Sequence, residues 1–171
     1  MKKKIIVIPG FGGNKTTDVY KKFKKQFNAS IFVPTWKYRT PKDWVEEYEA
    51  FIKNNNITDF TAVGFSMGAY IMACSKTKPT KSIYASISPF FKEDTKTWSK
   101  REKKYLGKRR FSAMGTYIKK PNSIFMVGSK ERQSVFDVVK RIGGKSKVMI
   151  VKDTPHHITP YYFGKISDLI K

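Results

Sequence analysis

Short apolar runs, rich in β-branched residues, alternate along the chain with stretches where apolar side chains recur every three or four positions. Lys4 to Ile8 reads as a buried strand, ended by Pro9-Gly10-Phe11-Gly12-Gly13. Val19, Phe23 and Phe27 then fall at i, i+4 and i+8 with Tyr20 beside them, the apolar stripe of a helix. Ser30 to Pro34 predicts a second strand. Pro41 opens a helix whose apolar positions are Trp44, Val45, Tyr48, Phe51 and Ile52. Asp59 to Phe65 is the third strand, and Met67, Tyr70, Ile71 and Cys74 form the next helical stripe, closed by Lys78-Pro79. Lys81 to Ile87, Asn122 to Val127 and Lys147 to Val151 complete six strands. Val135, Val138, Val139 and Ile142 mark a helix stopped by Gly143-Gly144. Thr159-Pro160 caps a last helix, buried through Tyr162, Ile166, Leu169 and Ile170.

Six strands alternating with helical segments predict a parallel sheet, because a parallel crossover needs a dozen or more residues and usually a helix. The expected architecture is a three-layer α/β/α sandwich around a mostly parallel six-stranded sheet. The stretch 90–120 breaks the pattern, being basic and aromatic with room for one or two short helices.

With 171 residues the chain suits one domain. Hydrophobic residues make up 40 % and aromatics 15 %, too apolar for a disordered basic tail. One cysteine, Cys74, excludes an intramolecular disulfide framework and fits a reducing compartment. Runs such as Ile5 to Ile8 fall far short of the roughly 20 residues of a membrane helix. The start, Met1-Lys2-Lys3-Lys4 and then four apolar residues before Pro9-Gly10, lacks the length and cleavage site of a signal peptide. The expectation is a soluble, single-domain, cytoplasmic protein.

Charge complicates this picture. Lys and Arg number 35 against 13 acidic residues, a formal net charge of +22. Basic surface gains affinity for phosphates, so a nucleic-acid partner is one reading. The lysines are nevertheless spread over nearly every segment, and no nucleic-acid-binding motif is present. The one dense patch is Lys100-Arg101-Glu102-Lys103-Lys104 followed by Lys108-Arg109-Arg110.

In open α/β sheets ligands bind outside the carboxyl ends of the strands. After the third strand comes Gly64-Phe65-Ser66-Met67-Gly68, a G-x-S-x-G sequence at a strand-to-helix junction. A sharp turn there holds the serine in strained geometry with its hydroxyl projecting from the sheet, and the flanking positions must be small. The serine also sits at a helix N-terminus, which favours developing negative charge. With this motif in this place, the sequence resembles the α/β-hydrolase superfamily over nearly its whole length.

The resemblance implies that Ser66 is a nucleophile and that Pro9-Gly10-Phe11-Gly12-Gly13 is an oxyanion loop, with Pro9 where a histidine often stands. The backbone N–H groups of Phe11 and Met67 would then hold the oxyanion. Val127-Gly128-Ser129-Lys130-Glu131 resembles the family's acid turn with Glu in place of Asp, so Glu131 would orient the base. Asp137 and Asp153 are alternatives if Glu131 faces solvent. Asp153-Thr154-Pro155-His156-His157 carries the chain's two histidines. His156 matches the family's base better than its neighbour His157, and a near-neutral pKa suits that work. No cofactor is implied, and the paired histidines lack the nearby cysteine or carboxylate spacing of a metal site.

In such a fold the segment 90–120 falls where relatives insert a cap. Either its aromatics shape an acyl pocket and its Lys/Arg cluster attracts anionic substrates, or they simply pack a surface helix. The leading expectation is a serine hydrolase cleaving a carboxylic ester or related acyl bond of a small-molecule substrate. A hydrolase-like scaffold binding nucleic acid or an acidic partner through Arg109 and Arg110 is the rival, and a peptidase or amidase with the same triad is a third.

Overall fold

Alternation along β1 (Lys4–Ile8) divides the molecule into its layers. Ile6 and Ile8 point into one apolar cluster with Trp44, Tyr48, Tyr70 and Val138. Val7 points the other way, into a cluster with Phe23, Val63, Tyr162 and Ile166. The computed structural model describes residues 3–94, 100, 104 and 107–171. Six strands run through it: β1, β2 (Ser30–Ile31), β3 (Phe60–Phe65), β4 (Lys81–Ala85), β5 (Ser123–Gly128) and β6 (Lys147–Val151). Their order across the sheet is β2-β1-β3-β4-β5-β6, and all five pairings are parallel.

Helices α1 (Asp18–Phe27) and α6 (Pro160–Ile170) cover the Val7 face. Helices α2 (Pro41–Asn54), α3 (Met67–Cys74) and α5 (Gln133–Gly143) cover the other. The chain is therefore a three-layer α/β/α sandwich. Local chemistry agrees with it. Thr40 and Asp43 form a reciprocal capping box ahead of Pro41, and the Thr40 amide donating to the Asp43 carboxylate holds that carboxyl below its ordinary value. Thr159 caps α6 by accepting from the Tyr162 amide at 3.1 Å.

Several boundaries differ from the sequence reading, each for a physical reason. β2 has two residues rather than five: Phe32 still donates to the Val7 carbonyl, but Pro34 has no N–H to continue the ladder. β4 stops at Ala85 because Ser86 adopts φ 48, outside strand geometry. The helix after β3 ends at Cys74, well before Lys78-Pro79, where Ser75 turns extended. Nor is α3 striped: Met67 through Ala73 are all buried between the sheet, α2 and the loops.

The strand order reverses at β1, with β2 on one side and β3 on the other. The carboxyl ends of β1 and β3 consequently open into a crevice, the place where such sheets bind ligands. Of the 90–120 segment, a short 3-10 turn (Lys92–Asp94) and α4 (Lys108–Ser112) are described. Trp98, Arg101, Glu102, Lys103, Tyr105 and Leu106 lie outside the described residues. Phe91 and Met114 are buried in the main cluster, with Phe111 and Tyr117 packed against it. Helix α4 is fastened to the sheet end by Arg110, whose Nη2 donates to the Trp36 carbonyl at 3.1 Å. Its guanidinium lies 5.0 Å from the Phe11 ring centre and 5.5 Å from that of Trp44.

Candidate active site

The site begins with the turn between β3 and α3. Ser66 holds φ 53 and ψ −114, a conformation that costs a residue with a Cβ on the order of 1–3 kcal/mol. Its amide donates to the Ala85 carbonyl at 2.9 Å, and its carbonyl accepts from the Tyr70 amide at 3.1 Å. The turn closes this tightly only because its flanks are glycine. A Cβ on Gly64 would stand 2.6 Å from the Ala69 backbone, and one on Gly68 would overlap the Ile8 and Pro9 carbonyl oxygens.

Two further loops deliver the partners. Beyond β5, the Glu131 amide donates back to the Gly128 carbonyl at 3.1 Å, closing a turn that aims the Glu131 side chain inward, where it is fully buried. Beyond β6, the Thr154 carbonyl accepts from the Lys130 amide at 3.1 Å, and the Asp153 amide donates to Ser129 Oγ at 2.8 Å. These bonds lash the two loops together and bring His156 over the sheet end, 5.4 Å from the Phe65 ring.

The result is a continuous relay. Ser66 Oγ lies 2.8 Å from His156 Nε2, and His156 Nδ1 lies 2.7 Å from Glu131 Oε2. A buried carboxylate at Nδ1 fixes that nitrogen as the protonated one, leaving the Nε2 lone pair to accept the serine proton. The three side chains singled out in the sequence therefore meet. The alternatives stand elsewhere: Asp153 pairs with Lys130 at 3.4 Å, and Asp137 accepts from Gln133 at 2.8 Å. His157 is exposed and engaged through its backbone, and the cap of α6 is Thr159.

Around the relay is a cleft of about 320 Å³, at the lower end of the usual range for small-molecule sites. Phe11, Met67, Pro89, Phe90 and Val135 give it apolar walls, and Arg132 contributes a cation. Both residues expected to supply oxyanion N–H groups, Phe11 and Met67, are thus in its wall. Ser88, which sequence reasoning did not single out, is also there. It is 4 % exposed, with Oγ 3.1 Å from Ser66 Oγ. Cys74 is no rival nucleophile, because burial pushes its thiol up to about 12. Among the described residues no group of three or more metal-ligating side chains occurs, and no helix is long and apolar enough to cross a membrane.

No protein-family model and no curated protein sequence matches the chain. Solved structures do. A putative hydrolase from Agrobacterium vitis S4 superimposes with a TM-score of 0.69 at 12 % identity, over 99 % of this chain and 88 % of that one. A carboxylesterase structure from the thaumarchaeon Nitrososphaera gargenis gives 0.62 at 14 %, over 98 % and 87 %. The mouse alpha/beta hydrolase domain-containing protein 10 gives 0.68 at 15 %, over 98 % and 89 %. The chain has the α/β-hydrolase fold.

Proposed function

We propose that the protein is a serine hydrolase that cleaves carboxylic esters of small molecules through a Ser66–His156–Glu131 triad. The observation that carries this reading is the relay of 2.8 and 2.7 Å built on a strained serine. Ser66 Oγ attacks the substrate carbonyl while its proton passes to His156 Nε2. Glu131 holds the imidazole and balances the charge it gains. The tetrahedral oxyanion is received by the backbone N–H groups of Phe11 and Met67, the latter at the first position of α3. His156 then protonates the departing alcohol, leaving an acyl-Ser66 ester. A water, deprotonated by the same imidazole, attacks that ester and releases the acid. The mechanism draws on no cofactor.

The cleft dimensions and lining suit a short acyl group against Phe90 and Val135, and Arg132 on the same wall suits a substrate carrying a negative charge. Phe90, at the start of the segment expected to form a cap, lines this cleft. Hydrolysis of short 4-nitrophenyl esters tests the reading: wild-type protein should turn them over and Ser66→Ala should not. Equal release by both variants would overturn it. The basic-scaffold alternative is weakened by Arg110, whose guanidinium is engaged by Trp36, Phe11 and Trp44 rather than presented to a partner. Salt-sensitive binding to nucleic acid that Ser66→Ala leaves untouched, with no ester turnover, would favour that alternative.

A further inference from the structure

The nucleophile's oxygen has a second hydroxyl neighbour, and a proton inventory decides what that neighbour does. The buried Glu131 carboxylate accepts a hydrogen bond from His156 Nδ1–H, so Nε2 is the acceptor and the Ser66 hydroxyl proton points to it. Ser66 Oγ has no other proton to offer. The contact between Ser66 Oγ and Ser88 Oγ at 3.1 Å must therefore be made with the Ser88 proton. Ser88 donates and Ser66 accepts.

The backbone is arranged to make this contact. Ser86, a residue with a Cβ, is held at φ 48, which turns the chain abruptly off β4. That strained corner is pinned by hydrogen bonds. The Ser86 amide donates to the Met126 carbonyl at 2.8 Å, Tyr162 Oη donates to the same carbonyl at 2.8 Å, and the Ser86 hydroxyl lies 3.1 Å from Tyr162 Oη. Two residues later the Ser88 amide donates to the Ser66 carbonyl at 3.2 Å, which holds Ser88 against the turn between β3 and α3. Backbone strain of this kind persists where surrounding structure over-determines it, and here what it delivers is a buried hydroxyl on the reacting atom.

We propose that Ser88 is a further catalytic residue, whose hydroxyl donates a hydrogen bond to Ser66 Oγ and stabilises the negative charge that oxygen carries as it attacks and as it leaves. This rests on Ser66 being the nucleophile. During attack the Ser66 proton moves to His156 Nε2 while the bond from Oγ to the carbonyl carbon forms, and Ser88 keeps its own proton. The resting contact is long for an O–H···O bond and tightens as the acceptor becomes anionic. The same charge returns to Oγ when the acyl-enzyme breaks down, so one donor serves both half-reactions.

The test is the second-order rate of inactivation by a fluorophosphonate, which depends on attack by Ser66, measured beside kcat and KM for a short ester. Ser88→Ala should slow inactivation and lower kcat by roughly ten- to a hundredfold, the value of a hydrogen bond to a charged group, with KM and melting temperature unchanged. Ser88→Thr, which keeps the hydroxyl, should recover most of the loss. Rates for Ser88→Ala within twofold of wild type would overturn the proposal. So would a rise in KM with kcat intact, or a Ser88→Thr variant as slow as Ser88→Ala at the same melting temperature. Wild-type protein that is folded yet never labelled would instead refute Ser66 as nucleophile, and the role of Ser88 with it.

Discussion

Strain at Ser66 makes a quantitative prediction that separates the requirements of chemistry from those of folding. Ser66→Ala and Ser66→Gly both delete the hydroxyl and both lose its contacts with His156 and Ser88. They differ only in whether a Cβ must be held at φ 53 and ψ −114. Relief of that strain favours the glycine variant by about 1–3 kcal/mol, and glycine's greater freedom in the unfolded chain takes back about 0.5–1 kcal/mol. At the middle of those ranges Ser66→Gly should thus be more stable than Ser66→Ala by about 1 kcal/mol. In a chain of this size that is a gain of about 2–4 °C in melting temperature. Differential scanning calorimetry on the two variants, both inactive, gives the answer. A glycine variant equal to or less stable than the alanine variant would show that the turn is not strained, and the case for a conformation held for catalysis would fail.

Three other outcomes follow from the geometry. Glu131→Gln keeps the shape of the acid but removes the charge that fixes the His156 tautomer, so kcat should drop roughly 10³–10⁴-fold in ester hydrolysis, while His157→Gln stays near wild type. Arg132→Gln should lower kcat/KM for an ester bearing a carboxylate by roughly two- to fivefold, the value of an exposed ion pair, and leave a neutral ester of the same length unaffected. Alkaline pH should unfold the protein. Burial raises the Cys74 thiol from 9.0 and the Tyr20 phenol from 10.0, each to about 12, and pushes Tyr48, Tyr84 and Tyr162 higher still. A raised acid keeps its proton in the native state after the unfolded chain has lost it. The stabilisation is complete below pH 9 and disappears as pH climbs from 9 through 12. Chemical denaturation across that window should show a falling midpoint, with the buried phenols ionising only on unfolding.

Much of this was legible in the sequence, and the parts that were not share a physical cause. Period-two and period-3.6 patterns report on side chains that alternate between water and core, so five of the six strands and the helices opened by Pro41 and Pro160 could be placed closely. Serine 66 was legible because Gly64 and Gly68 are forced by backbone contacts that no other residue permits. Glu131 and His156 were legible through resemblance and position, while the contacts of His156 with Ser66 and with Glu131 are tertiary facts with no local signature. The misplaced end of β4 and the missed Ser88 have one origin. Serine at 86 gives no hint of a left-handed φ, and nothing local marks Ser88 until Tyr162 and Met126 are seen to hold the corner at Ser86. Likewise Arg110 reads as one more cation in a basic cluster. Only folding shows it packed on Phe11 and Trp44, fastening α4 beside the site.

The central claim is that the Ser66 hydroxyl is activated for nucleophilic attack. Incubation with a fluorophosphonate followed by intact-mass and peptide-mass measurement addresses it directly. One phosphonyl adduct per chain is expected, carried on the Gly64–Gly68 peptide at Ser66 and absent from folded Ser66→Ala and His156→Gln proteins. A folded wild-type chain that stays at its unmodified mass, or an adduct mapped to any other residue, would contradict it.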